Sequence, residues 1–161
     1  MSLPTRILFV CLGNIVRSPL AEALFLSLAA QNGAGDKYDA DSAGMGGWHA
    51  GELPDSRMRT IAVQHGLRYT HRARQFERLD FGRFDLIIPM DRQNRDDLLA
   101  LARSEKDRSK IHLLRKFDAS GGPHAEVPDP YYDGLDDFEN VYQIVLRSCT
   151  GLLQVLEEER L

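Results

Sequence analysis

The run Ile7-Leu8-Phe9-Val10-Cys11 constrains this chain more than any other feature. Consecutive strand-forming apolar residues, with no polar alternation, leave neither face for water, so the strand must be covered on both sides, as in a parallel sheet. Turn-prone Gly13-Asn14 follows, Pro19 suits a first helical turn, and Leu20, Ala21, Leu24, Phe25 and Leu28 recur at helical spacing until Asn32-Gly33. That order of strand, tight loop and helix repeats along the chain. Residues 38–43 are predicted as a second strand, and Asp55 as the cap of a helix carrying Met58, Ile61 and Ala62 that stops at Gly66. Residues 85–88 read as a third strand, Asp91 as the cap of a helix with Leu98, Leu101 and Ala102, and residues 110–114 as a fourth strand. Strands alternating with helices imply a Rossmann-like α/β fold of three layers, α/β/α, with a central parallel sheet of about four strands.

A chain of 161 residues is the size of one ordinary domain, and Gly121-Gly122-Pro123 reads as a loop rather than a linker, so residues 1–161 are expected to form a single domain. Hydrophobic residues at 43% and charged residues at 27% separate it from disordered chains. With 20 Lys and Arg against 24 Asp and Glu, the net charge of −4 lacks the basic footprint of a nucleic-acid binder, and no nucleic-acid partner is expected. The N-terminal segment from Met1 to Arg6 and the apolar run at 7–12 are too short for a signal peptide core or a membrane span, so no membrane partner is expected. Two cysteines, Cys11 and Cys149, cannot form a disulfide framework or a structural zinc site, and a reducing cytoplasm is the expected compartment. His49, His65, His112 and His124 show no ligand spacing, so neither metal nor cofactor is expected.

Near the C-terminus, Phe138, Val141, Tyr142, Val145, Cys149, Leu152, Leu153 and Leu156 form one helical stripe, and Cys149 within it reads as a small buried hydrophobe. Cys11 is different, although a lone cysteine at a strand end is by itself an ordinary core residue. The seven residues after it, Leu12-Gly13-Asn14-Ile15-Val16-Arg17-Ser18, change that reading. In an open parallel sheet, ligands bind beyond the carboxyl ends of the strands, where a helix N-terminus offers unpaired N–H groups and partial positive charge. A thiol placed there beside Arg17 is favoured as the nucleophilic thiolate. Arg17 can fork two hydrogen bonds onto phosphate oxygens, Gly13 and Asn14 tolerate left-handed backbone, and Ser18 can hydrogen-bond the sulfur. Together they describe a cradle for a tetrahedral oxyanion with a nucleophile at its floor. A nucleotide-binding loop is excluded because no Lys precedes Ser18, and a dinucleotide fingerprint at Gly44-Met45-Gly46 fails at His49.

The segment from Val10 to Ala23, Val-Cys-Leu-Gly-Asn-Ile-Val-Arg-Ser-Pro-Leu-Ala-Glu-Ala, resembles the active-site loop of the low-molecular-weight protein tyrosine phosphatases. Also similar to that family are Asp41-Ser42-Ala43-Gly44, Trp48-His49-x-Gly51, Asp55 with Arg57, His71-x-Ala73-Arg74-Gln75, Met90-Asp91-x-x-Asn94 and Asp129-Pro130-Tyr131-Tyr132, in family order over most of the chain. The resemblance implies the three-layer fold of that family and a metal-free phosphatase. It implies that Cys11 attacks phosphorus, that Arg17 with the loop residues Leu12, Gly13, Asn14, Ile15, Val16 and Ser18 binds the phosphoryl oxygens, and that Asp129 protonates the departing phenol. Without the resemblance, Asp129 between Pro128 and Pro130 reads as a turn residue. Trp48, Tyr131 and Tyr132 resemble the groove walls that stack on phosphotyrosine, and Asn14, Ser42 and His71 resemble the hydrogen-bond support of the loop. The implied partners are phosphotyrosine-containing proteins, with phosphate or another oxyanion in the loop.

One residue departs from the family pattern: Val16 stands where a second loop cysteine is common. Its backbone N–H can still bind phosphate, but a sulfenic acid on Cys11 then has no neighbouring thiol to trap it. Three other functions fit the residues less well. A thiol-dependent arsenate reductase needs two more cysteines, and none lies between Cys11 and Cys149. The phosphoarginine phosphatases of the same fold resemble the family with Thr where Ile15 stands and Phe where Tyr131 stands, and both differences favour tyrosine. A non-catalytic phosphate-binding module does not explain Cys11, Arg17 and Asp129 occurring together.

Overall fold

The computed structural model describes residues 3–161, and the expectations that touch Met1 and Ser2, the reading of the N-terminal segment and the domain's first two residues, lie outside it. Strands β1 (Thr5–Cys11), β2 (Tyr38–Gly44) and β3 (Leu86–Pro89) form a parallel sheet in the order β2-β1-β3. The helices are α1 (Arg17–Gln31), α2 (Ser56–Gln64), α3 (Asp80–Arg83), α4 (Arg92–Leu101), α5 (Glu105–Ser109) and α6 (Leu135–Glu157).

The central strand β1 explains its own composition. Ile7, Phe9 and Cys11 join the core beneath α1, α2 and α6, whereas Leu8 and Val10 join the opposite core with Phe81 of α3 and Leu98 of α4. Alternate side chains therefore enter different layers, and each fully buried aliphatic or aromatic side chain contributes roughly 1.5–3 kcal/mol. The stripe predicted on the last helix is buried from Phe138 to Leu153, with Phe138, Val145, Cys149 and Leu152 fully shielded from solvent and Leu156 only partly covered. Cys149 Sγ lies 3.6 Å from the Ala21 carbonyl oxygen of α1, and burial pushes its thiol far up in pKa.

The sheet has three strands among the described residues, not about four, because residues 110–114 do not form the expected strand. Lys110 ends α5, and only Ile111 pairs with β3, through Ile87 N–H to the Lys110 carbonyl (2.9 Å) and His112 N–H to the Ile87 carbonyl (3.1 Å). Ile111 packs on the α3 and α4 side, while Leu114 is buried in the core beneath α6 and opens a 3-10 turn, Leu114–Phe117. The chain crosses the sheet edge between them, and burying Leu114 wins over a longer ladder.

Parallel strands end on the same edge, and here the register brings their ends level. Cys11 pairs with Gly44 and Val10 with Pro89, so the segments after β1, β2 and β3 leave side by side.

Candidate active site

Residues 12–16 wrap from the end of β1 to the first turn of α1. Asn14 adopts left-handed backbone (φ 58°), which an asparagine tolerates, and its N–H points to Cys11 Sγ at 3.3 Å. Gly13 does not share that conformation. Its value is space, since a Cβ there would stand 3.0 Å from Cδ2 of His49. Gly44 is needed for a similar reason, because a Cβ would lie 2.9 Å from the Leu12 carbonyl oxygen and 3.0 Å from Asn14 N. Met45 N–H to the Cys11 carbonyl and Gly46 N–H to the Leu12 carbonyl, both 2.9 Å, then tie the loop to the end of β2.

Behind the sulfur runs a chain of polar side chains. Ser18 Oγ is 2.9 Å from Cys11 Sγ and accepts from Asn14 Nδ2 at 2.8 Å, so that its hydroxyl proton has the sulfur and the Ala43 carbonyl oxygen (3.4 Å) as acceptors. Asn14 Oδ1 accepts from the Arg74 N–H (3.0 Å) and pairs with His71 Nε2 (2.9 Å), so that nitrogen carries a proton. His71 Nδ1 in turn faces Glu22 Oε1 at 3.3 Å and Asp41 Oδ1 at 3.5 Å, and the Ser42 hydroxyl donates to Glu22 at 2.7 Å. Burial, reinforced by the charge of Asp41 and opposed by the Ser42 hydrogen bond, lifts Glu22 from the ordinary 4.5 to about 7, while burial lowers His71. Both shifts favour the uncharged forms of this pair, which stands at the far end of a chain that reaches the sulfur. Ser42 touches the loop only through Glu22 and His71. Glu22, Asp41 and His71 each present a ligand atom within 4.8 Å of the others, a grouping hidden from the sequence because they come from α1, β2 and a loop.

Arg17 opens α1 and is buried to within 3% of its side chain. Its Nη1 donates to Asp91 Oδ2 (2.8 Å) and to the Val127 carbonyl (3.0 Å), and its Nη2 lies 3.6 Å from Asp129 Oδ2. Burial opposes the guanidinium charge, but Cys11, Asp91 and Asp129 outweigh it and hold the pKa above its ordinary value. Asp91, predicted only as a helix cap, does two jobs. Its Oδ1 accepts from Asn94 N–H at 2.7 Å to cap α4, and its Oδ2 aims Arg17. The signal that points to the second job is strand order, since the residue following β3 stands beside the loop following β1.

Asp129 reaches the site because Val127 N–H bonds the Met90 carbonyl at 2.8 Å, docking its segment beside the end of β3. Its Oδ1 accepts from Tyr131 N–H at 3.1 Å, and its side chain is 39% exposed. Cys11, Arg17 and Asp129 share a cavity of about 230 Å³ whose other lining residues are Leu12, Gly13, Ile15, Val16, Trp48, His49, Tyr131 and Tyr132. Asn14 and Ser18 lie behind its floor, fully buried, and Ser42 and His71 lie farther back. Tyr131 and Tyr132 meet edge to face with ring centres 5.0 Å apart, and the exposed Trp48 (71%) and Tyr132 (94%) form the rim. His49, given no role from the sequence, lines the cavity and pairs through Nδ1 with Glu52 at 2.9 Å. Val16 is buried at the helix start and brings no sulfur.

A sulfur that two hydrogen-bond donors address, beside a helix start and a buried guanidinium, is arranged for attack on a tetrahedral anion, and a carboxyl group at the mouth is in place for proton transfer. Among known proteins, the family described as low molecular weight phosphotyrosine protein phosphatase matches residues 6–161. A low molecular weight protein-tyrosine-phosphatase of Streptomyces coelicolor is 44% identical over 155 residues, covering 96% of this chain and 94% of that protein. A crystal structure of a protein tyrosine phosphatase from Entamoeba histolytica superposes with a TM-score of 0.93 at 38% identity, covering 98% of this chain and 99% of that one. The crystal structure of YfkJ from Bacillus subtilis gives a TM-score of 0.88 at 41% identity and covers 98% of both chains. Among the described residues, no helix is long and apolar enough to cross a membrane.

Proposed function

Because the chain belongs to the low molecular weight phosphotyrosine protein phosphatase family, we propose that it hydrolyses phosphotyrosine in proteins, and small aryl phosphates in the test tube, through a phosphocysteine intermediate. The carrying observation is the convergence of Cys11, Arg17 and Asp129 on one cavity with aromatic walls. Cys11 Sγ attacks phosphorus, the bond from phosphorus to the phenolic oxygen breaks, and Asp129 gives that oxygen its proton. Arg17 spends Nη1 on Asp91 and Val127, which leaves its other edge for two phosphoryl oxygens. The backbone N–H groups of residues 12–16 and Ser18, at the positive end of α1, bind the rest of the phosphoryl group. Water then attacks the phosphocysteine, with the Asp129 carboxylate taking its proton and Cys11 leaving as thiolate. Trp48, Tyr131 and Tyr132 set the depth, so that a phenyl ring carries the phosphate to the floor. Ile15 and Tyr131 in the lining favour phosphotyrosine over phosphoarginine.

Cys11→Ser tests the covalent step, because a hydroxyl in place of the thiolate removes the nucleophile and keeps the cradle. Turnover of an aryl phosphate is expected to vanish while inorganic phosphate and vanadate still bind with near-normal affinity. Turnover close to that of the parent protein overturns the covalent mechanism.

A further inference from the structure

We propose that Arg57 is a positioning residue for Asp129, acting through Tyr131; the inference rests on the reading of Asp129 as the proton donor. Arg57 stands in the first turn of α2, where the Asp55 carboxylate grips it through Nε to Oδ1 (3.1 Å) and Nη2 to Oδ2 (2.9 Å). The guanidinium carbon is 5.4 Å from the Tyr131 ring centre and 4.6 Å from that of Phe138. A cation held in a two-point fork thus presses on a ring of the acid-bearing segment and on a ring fixed in α6. Both ends of this brace reach the site. Asp55 N–H donates to the Ile15 carbonyl of the loop at 2.8 Å, and Tyr131 N–H donates to Asp129 Oδ1 at 3.1 Å.

The brace matters because Asp129 takes its downstream aim from Tyr131, which follows the buried Pro130 and packs half-buried against the core. Val127 docks the segment upstream, Asp129 itself is more than a third exposed, and Tyr132 beyond it stands in solvent. The Tyr131 ring, set between Arg57 and His49, is one of the downstream contacts with the body of the protein beside the buried Pro130, and a swing of that ring carries with it the N–H that orients the carboxyl group. A misaimed carboxyl leaves the phenolic oxygen to depart with its electron pair and less of a proton. The penalty then grows with the basicity of the phenol.

The test is kcat/KM across aryl phosphates from phenyl phosphate to dinitrophenyl phosphate, for the parent protein, Arg57→Ala, Arg57→Lys, Asp55→Asn and Asp129→Asn. Arg57→Ala is expected to lose about tenfold on phenyl phosphate and less than about twofold on dinitrophenyl phosphate, with inhibition by inorganic phosphate unchanged within about twofold. Arg57→Lys keeps the cation over the ring without the fork and recovers part of the loss. Asp55→Asn retains the backbone tie to Ile15 and loosens Arg57, giving an intermediate slope. If Arg57→Ala fails to fold, those two variants carry the comparison. A uniform loss across the series, or none, overturns the positioning role. If Asp129→Asn is itself insensitive to the leaving group, the reading of Asp129 fails; if it is sensitive and the Arg57 variants are not, only the present inference fails.

Discussion

The two halves of the site are built differently. The loop around Cys11 is sunk in the protein: Asn14, Arg17 and Ser18 are each at most 2% exposed, and their polar atoms are partnered by β2, α4, the His71 segment and one another. The segment bearing Asp129 presents Pro128, the carboxyl group and Tyr132 to solvent, and it is held to the rest of the protein by Val127, the buried Pro130 and the half-buried Tyr131. The difference follows from what each half does in the proposed reaction. An anion cradle gains from dipoles fixed before the substrate arrives, because they need no reorganisation during reaction. A proton donor must stand at the mouth, where the leaving group enters and departs. The loop therefore has a fixed geometry supported from behind, and the acid has a surface position supported from the side.

Breaking the surface half alone gives the largest expected effect. Asp129→Asn is expected to slow phenyl phosphate hydrolysis about 10²-fold or more and to affect a substrate with an acidic phenol far less. Thermal stability and phosphate affinity stay near those of the parent, because the loop does not depend on this side chain for its fold. Equal losses on both substrates assign Asp129 a structural role instead.

The buried half is sharpened by pH. Glu22 has a folded pKa of about 7 against an ordinary 4.5, so between those values the folded protein retains a proton that the unfolded chain has released. Its contribution to stability is therefore present below about pH 4.5, falls as pH rises, and is fully lost above about pH 7. Glu22→Gln keeps the shape of the side chain and removes the titrating group that Ser42 and His71 both meet at Oε1. Relative to the parent it is expected to gain about 3 kcal/mol in denaturant unfolding at pH 8 compared with pH 4.5, an order-of-magnitude figure from the shift. A difference that does not change with pH removes the raised pKa of Glu22 from the account. No dependence on the leaving group is expected in this variant, in contrast to Asp129→Asn.

The smallest effect concerns Val16, inside the loop. Peroxide converts the Cys11 thiolate to sulfenic acid, which either condenses with a nearby thiol, releasing water, or oxidises further. Val16 has no sulfur, and Cys149 is fully buried against Ala21. The natural protein is expected to recover little activity with dithiothreitol after oxidation, and Val16→Cys to recover several-fold more through a loop disulfide. Recovered activity is the readout, with mass spectrometry separating disulfide from sulfinic acid. Full recovery of the natural protein through a bond between Cys11 and Cys149 contradicts the placement of Cys149.

The same contrast governs what the sequence discloses. β1, the loop, α1 and the buried stripe of α6 are legible because apolar runs, glycine and proline act locally. Asp55 and Asp91 are legible as caps for that reason, and both accept from the N–H groups of their helices. The fourth strand is misread because strand propensity at residues 110–114 is local, whereas the pull on Leu114 comes from α6. Helices α3 and α5, of four and five residues, are too short to show a period. The second job of Asp91, the place of His49 in the lining and the pairing of Glu22 with His71 depend on which strands and loops become neighbours. Gly44 reads as part of a motif, but its reason, the loop backbone crossing within 3.0 Å of its missing Cβ, is visible only in three dimensions.

The central claim is that phosphorus passes through Cys11, and acid quenching during turnover of an aryl phosphate tests it most directly. The quenched protein is digested and its peptides are weighed. The account predicts one phosphoryl group on the peptide containing Cys11, appearing and decaying at the turnover rate and absent in Cys11→Ser. Steady turnover with no phosphorylated peptide, or with the group on another residue, contradicts it.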